Sequence, residues 1–188
     1  MSTEDAVRWN RKYLERDLVT VREPRPLLVE HRRLLPRAGR ALDVAVGLGS
    51  DAAFLLERGL AVVGVDISLV ALRAAKARLP RLQAVNADLD RFPLPRSAFE
   101  VILNFYFLNR ELWPAYETAL RPGGLLLVET LTEETRSVRP DIEPRYLLRP
   151  GELRAAFRHW EVVTHREEWT VRNGQRWAVA CLVARRPG

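Results

Sequence analysis

The residues best suited to chemistry are three aspartates gathered around a glycine turn. Asp43 lies four residues before Gly47, in the run Arg40-Ala41-Leu42-Asp43-Val44-Ala45-Val46-Gly47-Leu48-Gly49-Ser50-Asp51. Gly47 and Gly49 let the backbone turn sharply and approach a ligand with no Cβ in the way. Two carboxylates beside such a turn, Asp43 and Asp51, disfavour a diphosphate and suit a cationic ligand. Asp66 closes a second apolar run, Val62-Val63-Gly64-Val65-Asp66. A carboxylate at the C-terminal end of a strand points into the crevice where open α/β sheets bind ligands, and it can accept both hydroxyls of a ribose. Its competing role, capping the next helix, is one that Ser68 can fill.

The elements that must hold these groups follow from the pattern of the chain. Leu42, Val44 and Val46 give the near-continuous apolar look of a buried parallel strand. Ser50 is placed to cap a helix whose apolar face is Phe54, Leu55 and Leu56, and Gly59 stops it. Strand, glycine turn, helix and strand make the nucleotide-binding half of a doubly wound domain. A helix over Leu69–Leu79, a short strand over Leu82–Val85 and a strand over Phe99–Asn104 continue the alternation. Glu111–Leu120 reads as a helix, and Arg121-Pro122-Gly123-Gly124 as the turn into a buried fifth strand. The chain closes with strands over Trp160–Val171 and Arg176–Arg185, joined at Asn173-Gly174, a strong hairpin signal.

Two cofactor classes use this arrangement. Gly47-x-Gly49-x-x-Ala52 with Asp66 beyond it satisfies a loose dinucleotide fingerprint. Asp43 and the terminal antiparallel hairpin count against that reading. With Asp43, Gly47 and Gly49 in place, the chain resembles the class I S-adenosylmethionine (SAM) dependent methyltransferases, whose first motif is an acidic residue followed by x-Gly-x-Gly-x-Gly. Ala45 stands where the family has its first glycine. Leu120-Arg121-Pro122-Gly123-Gly124 and the closing hairpin strengthen the resemblance, which covers about residues 40 to 130. The tail Leu148-Arg149-Pro150-Gly151-Glu152-Leu153, with Trp160-Glu161-Val162 and Glu167, is similar to small bacterial methyltransferases of the tellurite-resistance type.

The resemblance implies an α/β fold: a doubly wound, Rossmann-like, mostly parallel seven-stranded sheet with a C-terminal antiparallel hairpin. It implies SAM as cofactor, held by Asp43, Ala45, Gly47, Gly49, Asp66, Ile67, Asp88, Leu89 and Asn104. Asp66 would take the ribose and Asp88 the adenine amino group. Trp9 and Tyr13, four apart on an N-terminal helix over residues 2–16, are expected to pack that helix on the domain or to close over the cofactor. Tyr106 and Arg110 follow the fourth strand, on the face where methyl acceptors sit. Arg110, Arg145 and Arg149 are candidates for an oxyanion or carboxylate acceptor, because guanidinium binds such groups with two hydrogen bonds.

Composition bounds the rest. The chain has 188 residues, 47% apolar and 29% charged, which fits one soluble domain, residues 1–36 forming a helical cap on a core over 37–188. No apolar run approaches the ~20 residues of a membrane span, so a cytoplasmic protein is expected. The net charge of +6 comes from arginine interleaved with acids, with no dense basic tract. We read it as a solvated surface, and no nucleic-acid partner is expected. His31, His159 and His165 have no metal-ligand spacing, and Cys181 reads as a buried, inert thiol. The 129–148 segment, with Pro140 and Pro144, reads as a polar loop over the site. No residue pair stands out as a general base. The expected activity is SAM-dependent methyl transfer to a small molecule, an oxyanion or soft nucleophile. A catalytically silent binding module and an RNA methyltransferase are the alternatives.

Overall fold

The computed structural model describes residues 3–15, 18, 23–172 and 174–188. Ser2 and Arg16, expected in the first helix, and Asn173, expected in the hairpin turn, lie outside the described residues. A seven-stranded sheet in the order β3-β2-β1-β4-β5-β7-β6 forms the frame. Its strands are β1 Arg40–Val44, β2 Ala61–Asp66, β3 Gln83–Asn86, β4 Phe99–Phe105, β5 Leu120–Leu131, β6 Glu161–Arg172 and β7 Gln175–Arg185. β1 to β5 are parallel, whereas β7 runs antiparallel between β5 and β6. The helices are α1 Thr3–Leu14, α2 Pro26–Glu30, α3 Ser50–Glu57, α4 Leu69–Arg78, α5 Trp113–Ala119 and α6 Glu152–Ala156.

Alternate residues of each strand feed two cores. Ala41, Val101, Leu103, Leu125, Leu127 and Cys181 face α2, α3 and α4, while Leu42, Val44, Ile102, Leu126 and Leu182 face α5 and α6. Both faces of the sheet are covered, which is why its strands read as apolar runs. The switch in winding direction between β1 and β4 opens the crevice at the C-terminal edge, as doubly wound sheets require.

Four local expectations are corrected. β1 stops at Val44, because Ala45 turns back with φ 55°. α3 is capped by Gly49 at φ 78°, so Ser50 is its first helical residue and makes no side-chain cap. The helix expected over Leu27–Leu35, from Leu27, Leu28, Leu34 and Leu35, ends at Glu30, where His31 caps it: Nδ1 meets the Leu27 carbonyl at 2.9 Å and Nε2 the Thr164 hydroxyl at 2.7 Å. The segment after Glu129 is stitched down. β5 continues to Leu131, Thr132 bridges to Leu148, and the buried Thr135 hydroxyl accepts from Ala178 N at 3.0 Å while donating to its carbonyl at 2.9 Å.

Ala45 is strained by its chirality. A left-handed backbone costs an L-residue roughly 1–2 kcal/mol and glycine nothing. Part of that is offset by the greater freedom glycine has when unfolded. Ala45→Gly is therefore expected to raise unfolding stability by about 0.5–1 kcal/mol in urea titration; a drop in stability would show that the methyl group is gripped by packing.

Candidate cofactor site

The glycine turn is built by backbone demand. Gly47 adopts φ 54° and Gly49 φ 78°. A Cβ on Gly47 would lie 2.6 Å from the Tyr13 hydroxyl, so a side chain there would have to displace the end of Tyr13. Arg78 at the end of α4 donates to the Leu48 carbonyl and braces the turn from outside.

Asp66 ties the pieces together. Its Oδ2 accepts from Gly47 N and its Oδ1 from Ser68 N, both at 2.8 Å. Ser68 caps α4 by accepting from Ala71 N at 3.2 Å and donates its hydroxyl to Asn10 of α1 at 2.9 Å. Asn10 also accepts from Val70 N at 3.2 Å. Asn86 Nδ2 holds the Asp66 and Ile67 carbonyls at 3.0 Å each. Asp66 is 6% exposed; burial raises its pKa, and the Ser68, Gly47 and Ile67 amides oppose that shift. Each carboxylate oxygen keeps a lone pair beyond its backbone bond.

Asp43 is the most constrained acid. It is 4% exposed and its Oδ2 has no hydrogen-bond partner. Burial and the charges of Asp51 and Asp66 push its pKa well up, against Arg25 and the Ala52 amide. Arg25 was not foreseen from the sequence. Its backbone N–H donates to Asp51 Oδ1 at 2.7 Å, its Nε lies 3.7 Å from Asp51 Oδ2, and its guanidinium rests 4.3 Å from the Tyr106 ring centroid. Tyr106 itself turns back with φ 56°, donating its N–H to the Glu129 carbonyl at 2.7 Å.

α1 spans the mouth. Trp9 and Tyr13 are 6.2 Å apart, with Lys12 4.7 Å from the Trp9 ring, and Arg8 reaches to 5.9 Å from the Tyr146 ring on the far side. Asp88 follows β3 and accepts from Asp90 N at 3.0 Å, with Leu89 buried behind it. Asp43, Gly47, Gly49, Asp66, Ile67, Tyr13 and Tyr106 thus share one crevice.

Two expected residues are directed elsewhere. Asn104 is fully buried on the α5 side and donates to the Tyr116 hydroxyl at 3.0 Å; strand alternation turns it away from the crevice face that carries Asp43. Arg110 is forked onto Glu152, with Nη2 to Oε2 at 2.9 Å, and donates to the Leu147 and Arg145 carbonyls. It pins α6 to the end of β4. Arg145 pairs with Glu143 at 3.0 Å. His159 pairs with Glu117 at the surface, burial raises the Cys181 pKa, and among the described residues no group of side chains could hold a metal ion.

A doubly wound sheet with a reversed last strand and an acid-flanked glycine turn is a methyltransferase-like architecture. The comparisons agree. A methyltransferase-domain family matches residues 41–124. A probable SAM-dependent methyltransferase of Mycolicibacterium smegmatis is 32% identical over 110 residues, covering 54% of this chain and 42% of that protein. Trans-aconitate 2-methyltransferase of Azoarcus sp. is 32% identical over 101 residues, covering 50% and 40%. The chain therefore spans about two fifths of the length of these curated relatives. TehB from Haemophilus influenzae superposes with a TM-score of 0.72 at 16% identity, over 85% of this chain and 61% of that one. The chain is similar to SAM-dependent methyltransferases over residues 41–124 and shares their fold.

The buried acid leads to a stability prediction. A folded-state pKa above the ordinary aspartate value of 3.8 means that stability linked to Asp43 is full below that value and is lost as pH rises through the raised one. Asp43→Asn is expected to remove this loss, so that the variant without cofactor is more stable than the wild type at pH 7 and nearly equal to it at pH 3.5. Thermal unfolding across that range checks it. An Asp43→Asn protein less stable at pH 7 would mean that the charge is compensated in the folded state.

Proposed function

We propose that this chain binds SAM in the crevice between the Gly47 turn and α1 and transfers its methyl group to a small-molecule acceptor. The observation that carries the reading is Asp43, a buried carboxylate with an unpartnered oxygen beside a turn whose two glycines hold positive φ. Such a group calls for a cation, and SAM brings an ammonium and a sulfonium. The donor set fits the remainder of the molecule. Arg25 stands ready for the methionine carboxylate, Asp66 for the ribose hydroxyls and Asp88 for the adenine amino group, with Ile67 and Leu89 beside the base. Bound SAM supplies an electrophilic methyl carbon. The chain's own residues orient it and keep water out: Tyr13 and Trp9 from above, the Tyr106 ring from the β4 side.

Methyl transfer is an in-line displacement, so alignment of acceptor and methyl group is the main requirement, contributing up to roughly 7–11 kcal/mol. The Arg110 role in acceptor binding is not kept, because its donors are taken. We read residues 1–188 as one domain with the N-terminal helices as its cap. Among the described residues no helix is long and apolar enough to cross a membrane, and a cytoplasmic location fits that. A nucleic-acid partner forms no part of the proposal.

Titration calorimetry tests the cofactor. S-adenosylhomocysteine is expected to bind and NAD to give no heat; the reverse result overturns the proposal. Asp66→Ala, confirmed as folded by circular dichroism, is expected to bind S-adenosylhomocysteine at least ten-fold more weakly, about 1.4 kcal/mol. Unchanged affinity would remove Asp66 from the ribose.

A further inference from the structure

Glu129 is a buried acid that nothing above uses. It is 8% exposed and sits near the C-terminal end of β5, paired with Phe105 on β4 and with Cys181 on β7. Its carboxylate has one partner, the Cys181 thiol, whose sulfur lies 3.6 Å from Oε2. A thiol is a weak donor. Among the described residues no cation lies within salt-bridge reach of it. Arg166 of β6, which pairs across from Cys181, is committed to Glu30 of α2 at 2.8 and 2.9 Å and to Glu168 at 3.4 Å, and Arg25 to Asp51 at 3.7 Å. A carboxylate held this way has no partner that balances its desolvation.

Its place in the sheet gives it something to do. Leu127 and Cys181 belong to the core that α2 and α3 cover, so Glu129 projects from the same face as Asp43. In β4 register it stands two residues nearer the C-terminal edge than Asp43 and two strands across. Strand spacings put the two Cα atoms roughly 12 Å apart. Tyr106, whose N–H is bonded to the Glu129 carbonyl, lies along that path. With the methionine end of the cofactor at Asp43, as proposed above, Glu129 stands on the same face nearer the strand ends, on the side from which an acceptor would approach.

We infer that Glu129 is the carboxylate that receives the acceptor's proton, which makes the acceptor of this enzyme an O–H or N–H compound, neutral or cationic, rather than an oxyanion. This rests on the SAM reading above. In the step, the acceptor heteroatom's lone pair forms the bond to the methyl carbon as the S–CH3 bond breaks. That bond's electron pair stays on sulfur, leaving neutral S-adenosylhomocysteine. The acceptor's proton passes to Glu129 and then to water. A buried negative charge here also repels anionic acceptors, which reverses the expectation drawn from the arginines of the tail.

Sinefungin provides a probe that needs no known acceptor, because it carries an ammonium group where the methyl group would be. Calorimetry at pH 7 is expected to show sinefungin binding at least ten-fold tighter than S-adenosylhomocysteine to the wild-type protein. In Glu129→Gln that ratio is expected to fall to within three-fold of unity, with S-adenosylhomocysteine affinity held within two-fold as the check on folding. A ratio near unity in the wild type overturns the inference whatever the variant does. So does a Glu129→Gln protein that keeps the wild-type ratio. Failure of both ligands to bind the wild type refutes the cofactor reading instead.

Discussion

The Asp66 carboxylate is the joint on which the cofactor crevice depends. One oxygen holds the Gly47 amide of the first turn and the other holds the Ser68 amide at the start of α4, each at 2.8 Å. Ser68 in turn passes a hydrogen bond to Asn10, so the same side chain fixes the floor, one wall and the roof. Hydrogen bonds to a charged group contribute about 1.5–3 kcal/mol each, and burial strengthens them further. An acid so used cannot swing away, and the lone pairs it retains are presented to a ligand without reorganisation. Rigidity and recognition come from one residue, which is why a strand must end at that position.

Around this joint acidic side chains gather. Asp43, Asp51 and Asp66 converge, and Arg25 is a cation that opposes them. Burial, with the charges of Asp51 and Asp66, raises the pKa of Asp43, and burial raises that of Asp66. The cationic ligand proposed for the crevice would offset that cost on binding. A pyrophosphate would add negative charge beside these carboxylates, which is the physical reason that the proposal favours SAM over a dinucleotide.

Much of this was legible in the sequence because it is local. The glycine turn, the strand ending in Asp66, the Ser68 cap and the terminal hairpin each leave a short-range pattern of apolar spacing and turn chemistry. What escaped was set by distant contacts. Arg25 becomes a site residue only because α2 is laid against Tyr106 and Asp51. Asn104 and Arg110 stood at the right end of β4, yet strand alternation turned Asn104 to the opposite face, and Glu152, forty-two residues later, claimed Arg110. Ala45 was visible as a departure from the glycine pattern, but only its φ of 55° shows that the backbone kept the conformation and the alanine bears the strain.

Glu129 illustrates the same limit from the other side. In sequence it follows Leu125-Leu126-Leu127-Val128 and reads as the polar end of a buried strand. Its significance arises from its surroundings, since its carboxylate meets the Cys181 thiol and Arg166, on the same face, is committed to Glu30 and Glu168. Conventional packing would neutralise a buried acid or replace it with an apolar side chain of similar volume, commonly at no loss of stability. Asp43 and Glu129 lie on one face with Tyr106 between them and the Arg25 guanidinium 4.3 Å from that ring, so the space that the proposed methyl donor and acceptor would span carries an acid at either end and a cation beside its middle.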